Sequence, residues 1–179
     1  MAGGNIFLVG MMGAGKTTLG KALAQRAGLE FVDTDRVLVE RTGVPVATIF
    51  EIEGEEGFRR RESGIIAELA QRAGCLVATG GGAVLAAENR QVMRGAGTVI
   101  YLRARLESLW ERTRHDSSRP LLATADPRAT LARILEDRDP LYREAAHLIV
   151  ETGSQSAATL VNRVMAALRQ LPSADAAAP

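Results

Sequence analysis

The segment Gly10-Met11-Met12-Gly13-Ala14-Gly15-Lys16-Thr17 constrains this chain more than any other, because it fits the spacing GxxxxGK[ST] and stands between an apolar run and a helical pattern. Ile6 to Val9 before it read as a short buried strand, and Leu19, Leu23, Ala24 and Ala27 after it recur at helical spacing. Glycines in such a turn bring main-chain N–H groups up to an anion without a Cβ in the way. The helix that opens at Lys16 aims the positive end of its dipole at the same place. A turn that only packed a strand on a helix would need no lysine, and the chain has just two, Lys16 and Lys21. The segment is read as a phosphate-binding loop in which Lys16 reaches the outer phosphates and the Thr17 hydroxyl faces Mg²⁺.

The same alternation of short apolar runs and helical spacing continues along the chain. Phe31 to Val32, Leu76 to Thr79, Val99 to Leu102 and Leu148 to Val150 read as further buried strands, with helical patterns between them and another at Leu160, Val164, Met165 and Leu168. Strands that alternate with helices predict an α/β fold, a parallel sheet covered on both faces. Three stretches interrupt the rhythm. Asp116 to Asp126 reads as a loop or lid between helices Arg105 to Arg114 and Pro127 to Asp137, and Gly43 to Gly57 reads as a short helix leading into a longer one from Phe58 to Arg72. Together with the segment from Asp35, the second stretch predicts an insertion over about residues 35–62, inside a single domain spanning 1–171; the lid spans about 114–126. The small polar tail 172–179 is expected to be disordered.

Composition narrows the chemistry. At 179 residues there is room for one domain, and no apolar stretch approaches the roughly 20 residues that cross a bilayer. Met1 to Asn5 carry no basic flank or apolar region of a secretory signal, so a cytoplasmic protein is expected. One cysteine and two histidines cannot make a zinc cage, so any metal must be oxygen-bound. A net charge of +1 with 4% aromatic residues offers neither field nor stacking surface for nucleic acid, which points to a small-molecule partner.

Four further groups carry possible chemistry. Asp33 and Asp35 fall at the end of the second strand, where ligands sit in an open parallel sheet, and alternation along an extended segment would face both toward the loop; the plainer role is a helix cap at Asp35 and a turn at Asp33. Arg59, Arg60 and Arg61 begin a helix, where steps of about 100° prevent all three from meeting one ligand. Arg59 and Glu62 are three apart and share a face, so the glutamate can aim the guanidinium at a carboxylate, although an exposed ion-pair face fits equally. Gly80, Gly81 and Gly82 follow the third strand and suggest a ligand close to the backbone. No aspartate ends that strand, which leaves Asp33 as the carboxylate for the metal. Arg112, Arg119 and Arg138 lie near or in the expected lid, where a cation could meet a migrating phosphoryl group, but with so many arginines each alone reads as surface. His115, His147, Cys75, Trp110, Met11 and Met12 read as core or loop residues.

Taken in order, GMMGAGKTT, DTD, FRRRE, GGG, RPLL and RDPLY resemble the shikimate kinase family from Asn5 to about Leu168. The resemblance implies a monomeric three-layer fold with a five-stranded parallel sheet, and transfer of phosphate from MgATP to the 3-hydroxyl of shikimate. It further implies that Gly13, Ala14, Gly15, Lys16, Thr17 and Thr18 hold ATP, that Thr17 holds Mg²⁺ with Asp33 acting through water, and that Arg112 lies along the adenine. Gln155 belongs to the adenine-side loop Thr152 to Ser156, which carries no clear signature. Shikimate would be held by Asp35 at its hydroxyls, by Arg59 and Arg138 at its carboxylate and by the backbone at Gly80, Gly81 and Gly82, while Arg119 contacts the phosphates. Lys16, Asp35 and Arg119 would be the catalytic set. A kinase of another polyol acid such as gluconate, and a nucleotide-sensing module without turnover, are the alternatives.

Overall fold

In the computed structural model, which describes residues 4–116 and 119–171, five parallel strands form one sheet in the order β2-β3-β1-β4-β5. They are β1 (Asn5–Val9), β2 (Glu30–Asp33), β3 (Cys75–Ala78), β4 (Gly97–Ala104) and β5 (Leu148–Thr152). The expected disordered tail, 172–179, and two residues of the expected lid, 117–118, lie outside the described residues. β1 is buried at every position, as a strand paired on both edges and covered on both faces must be, with Leu8 opposite Ala78 on one side and Ile100 on the other. Its carboxyl end therefore opens at the middle of the sheet, where the strand order reverses and a crevice forms.

The helices are α1 (Lys16–Ala27), α2 (Thr34–Thr42), α3 (Val46–Ala70), α4 (Ala87–Ala96), α5 (Leu106–Thr113), α6 (Pro127–Ala145) and α7 (Ala157–Leu168), with short 3-10 turns at Ala83–Leu85 and Pro120–Leu122. α1 buries Leu19, Leu23 and Ala24, the spacing seen in the sequence, and packs beside α7, which opens on a Ser156 side chain accepting from the Thr159 amide.

Three elements differ from expectation. The short and long helices expected across 43–72 are both present and together make α3, but they meet at a kink at Gly54, whose φ of 69° and ψ of −179° are not helical, rather than at Gly57. The bend is braced by Arg61, which reaches back eight residues to both carboxylate oxygens of Glu53. α6 runs eight residues past the expected end at Asp137, through Pro140, because burying Tyr142 and Ala145 outweighs the one helix hydrogen bond that proline forfeits. β4 is twice the expected length, since it pairs with both β1 and β5.

Candidate active site

The turn between β1 and α1 has the shape its glycines demand. Gly15, the residue before α1, has φ 94° and nothing within 4 Å of the place its Cβ would take, so the first turn of α1 faces open space. Lys16 folds back across the loop and donates to the carbonyls of Gly10 and Met11 at 2.7 and 2.9 Å. Burial pulls its ammonium down to about 8; Asp35 opposes that and Arg119 adds to it. The Thr17 hydroxyl donates to Asp33 Oδ2 at 2.9 Å. The other oxygen of Asp33 accepts from the Asp35 and Arg36 amides, so Asp33, not Asp35, caps α2. Asp35 reaches the site through the first helical turn, which corrects the expectation that strand alternation would carry it there. Thr17 and Asp33 form a pair of hard oxygen donors next to an anion cradle, a donor set that fits Mg²⁺ shared with phosphates; among the described residues no cluster of three or more acidic, histidine or cysteine side chains offers a cage of its own.

Beside the loop lies a cavity of about 280 Å³, lined by Met12, Asp35, Val46, Phe50, Phe58, Arg59, Gly80, Gly81, Gly82, Arg119, Pro120, Leu121 and Arg138. Three guanidinium groups and one carboxylate line it beside an apolar wall, so the cavity suits a small organic anion. Of the three consecutive arginines only Arg59 enters it. Its Nη1 donates to Glu62 Oε2 at 2.8 Å and its Nη2 to Glu55 at 3.1 Å, while the guanidinium lies 5.0 Å from the centre of the Phe58 ring. Arg60 and Arg61 pair with Glu56 and Glu53 on the outer face. Burial works against the Arg59 charge, but Glu62 and Glu55 more than offset it and hold its pKa above the ordinary value. Glu62 is fully buried, and burial raises its pKa although Arg59 opposes the shift. Burial and the neighbouring Asp33 likewise raise Asp35, against Lys16.

The glycines after β3 are there because side chains crowd against them. A Cβ on Gly80 would fall 2.1 Å from Glu62 Oε1, and one on Gly82 would fall 2.2 Å from the Arg59 guanidinium carbon. The Gly80 amide donates to the Thr34 hydroxyl at 3.1 Å. A Cβ on Gly81 would lie 3.4 Å from the Met12 amide and 3.6 Å from Arg138 Nη1, so the phosphate loop and the cavity share a wall one residue thick.

Arg119 pairs with Asp116 at 2.8 Å at the cavity rim. Arg112 is exposed and bridges the carbonyls of Gly13 and Gly153, which ties the phosphate loop to the turn after β5. Ala14 is buried under the loop and Thr18 is exposed beyond it. Gln155 is exposed and lines a second cleft with Arg103, Glu136 and Asp139 rather than the cavity. Met12, read as a core or loop residue, belongs to the cavity wall, and so do Val46 and Phe50; apolar residues at helical spacing give no signal that separates such a wall from ordinary core. His147, read the same way, accepts from the Val99 amide through Nδ1 at 3.0 Å, remote from the site.

The model of the shikimate kinase family matches residues 12–169. The chain belongs to the shikimate kinase family. A curated shikimate kinase of Nitrosospira multiformis is 60% identical over 155 residues, covering 87% of this chain and 80% of that one. The shikimate kinase of Chromobacterium violaceum is 55% identical over 169 residues, covering 94% and 92%. Among solved structures, shikimate kinase from Acinetobacter baumannii in complex with shikimate superposes with a TM-score of 0.92 at 43% identity, covering 96% of this chain and 97% of that one. As a shikimate kinase family member the chain is an enzyme, an ATP-dependent phosphotransferase that uses Mg²⁺, and its five-stranded α/β fold is the family's. No helix among the described residues is long and apolar enough to cross a membrane.

Proposed function

We propose that this chain transfers the γ-phosphoryl group of ATP to the 3-hydroxyl of shikimate, with the roles below. The observation that carries the assignment of roles is the wall shared at Gly81 between an anion cradle and a cavity bearing two buried or half-buried guanidinium groups, Arg59 and Arg138. An organic acid gripped by those arginines lies within reach of a phosphate held by the loop.

The main-chain amides from Gly13 to Thr18 and the N-terminal end of α1 hold the phosphates. Lys16 exchanges the carbonyls of Gly10 and Met11 for β- and γ-phosphate oxygens. Thr17 would hold Mg²⁺ directly and Asp33 through water; when bound, the ion neutralises charge on the phosphate oxygens. Arg59, kept flat by Glu62 and Glu55, and Arg138 clamp the carboxylate, and the backbone at Gly80, Gly81 and Gly82 closes around it. Asp35 accepts a hydrogen bond from the hydroxyl that attacks and aligns its oxygen with the γ-phosphorus. Arg119 leaves Asp116 to meet the charge on the migrating group. Arg112 and Gln155 flank the adenine. In the same reading the insertion, about residues 35–62, and the lid, about 114–126, move against a single domain. In this reading the working unit is a cytoplasmic monomer that acts on a small molecule, and a net charge of +1 gives no field for nucleic acid.

Steady-state turnover tests the proposal. Purified protein with MgATP should release ADP on addition of shikimate and not of gluconate. Absence of shikimate-dependent ADP release above background defeats it.

A further inference from the structure

One buried group is left unused by these roles. Tyr142 lies on α6 one turn beyond Arg138, fully buried, with its ring stacked on Tyr101 at 4.8 Å. Its hydroxyl donates to the Gly81 carbonyl at 2.5 Å and lies 3.6 Å from the sulfur of Met11 in the phosphate loop. The positive charge of Arg138, one turn back on α6, acts on the same hydroxyl. A phenol has one proton to give, and at 2.5 Å the Gly81 carbonyl takes it. Burial pushes this hydroxyl up to about 12, which keeps it a donor throughout the neutral range.

A trans peptide holds its C=O and the next N–H on opposite sides. With the Gly81 carbonyl seated on Tyr142, the Gly82 N–H points the other way, away from α6. Gly82 lines the cavity there, against the Arg59 guanidinium, and among the described residues its amide donates to no backbone carbonyl. We propose that Tyr142 is a positioning residue for the acid substrate: by pinning the Gly81 carbonyl, it turns the Gly82 amide toward the carboxylate that Arg59 and Arg138 hold. A tyrosine that served only the core would be replaceable by phenylalanine, which keeps the stack with Tyr101 and removes the hydroxyl alone. The inference rests on the acid-clamp reading of the cavity.

The test is Tyr142→Phe beside Tyr101→Phe, which removes the neighbouring hydroxyl that donates to Asp139 instead. Tyr142→Phe should raise the KM for shikimate about tenfold while the KM for ATP and kcat stay within about twofold, and Tyr101→Phe should leave all three unchanged. With a shikimate analogue whose carboxylate is replaced by a methyl group, the wild type and Tyr142→Phe should share one kcat/KM, because no acceptor remains for the Gly82 amide to meet. A folded Tyr142→Phe with an unmoved shikimate KM, or with an equal loss on the methyl analogue, overturns the proposal. An amide resonance of Gly82 that does not shift when the wild type is saturated with shikimate overturns it too, whether or not the variant folds. Wild-type turnover in the same assay separates the two claims: its absence refutes the function, whereas turnover with an unmoved KM refutes the role of Tyr142.

Discussion

The two halves of the crevice are built in opposite ways. The phosphate side is main chain: one stretch from Gly10 to Thr17 supplies the turn, the amides and the lysine, with Asp33, Arg112 and Tyr142 as long-range side-chain partners. The acid side is assembled from side chains on α2, α3 and α6 and the glycines after β3, and each depends on a neighbour, as Arg59 depends on Glu62 and Gly80 on Thr34. A backbone cradle suits the ligand that many kinases share, because every phosphate presents the same oxygens. Side chains held by other side chains suit a ligand that must be told from its relatives, because moving one guanidinium changes which acid fits.

That contrast predicts different kinetic signatures for the two halves. Lys16→Ala should lower kcat about a thousandfold and leave acid binding intact, since it removes charge from the transferring group; fluorescence or calorimetric titration with shikimate checks the second half. Asp35→Asn should lower kcat about a hundredfold with a small change in KM. Its melting temperature should hold or rise: the folded protein keeps the Asp35 proton above the ordinary carboxylate pKa, so ionisation of Asp35 at neutral pH opposes folding and the amide removes that cost. Arg59→Ala should raise the KM for shikimate about thirtyfold at nearly constant kcat, and an unchanged KM would place the clamp elsewhere.

The cradle should also carry a pH signature on the alkaline side of neutrality. In a chelating buffer, ADP affinity should fall by up to about tenfold per pH unit above about 8, as the free protein loses the Lys16 proton that the anion needs. Calorimetry across pH 7 to about 9.5 measures it, and a flat profile means that Lys16 stays charged without its ligand. The smallest effect belongs to Arg60→Ala. Its ion pair with Glu56 is exposed on the outer face of α3, so kinetics and melting temperature should not change measurably.

The same contrast decides what the sequence revealed. The phosphate loop is contiguous, so its residues, its strand and its helix could be read together, and the structure places them as expected. Arg59 was legible through the three-residue offset to Glu62, which the ion pair matches, whereas the burial that lifts this pair above its exposed neighbours Arg60 and Arg61 is a tertiary fact. Arg138 had no local signal. It acquires a position because α6 runs on past Asp137 into the stretch before Pro140, where a proline normally argues for a helix end. The double use of Asp33, one oxygen on the helix cap and one on Thr17, was hidden because a capping residue and a metal-site residue look alike in sequence. The apolar wall of Met12, Val46 and Phe50 was invisible for the opposite reason: its residues look like core. The roles of Arg112, Gln155 and Arg138 came from family resemblance alone.

The central place of β1 ties this crevice to the survival of the molecule. A strand hydrogen-bonded on both sides cannot peel away without undoing its neighbours, so the loop it feeds has no private way to melt. Any ligand seated there resists global unfolding, adding about 2.7 kcal/mol when present at a hundred times its dissociation constant. Starved of nucleotide, a cell would hold the same chain in a form more open to proteases across its whole sheet.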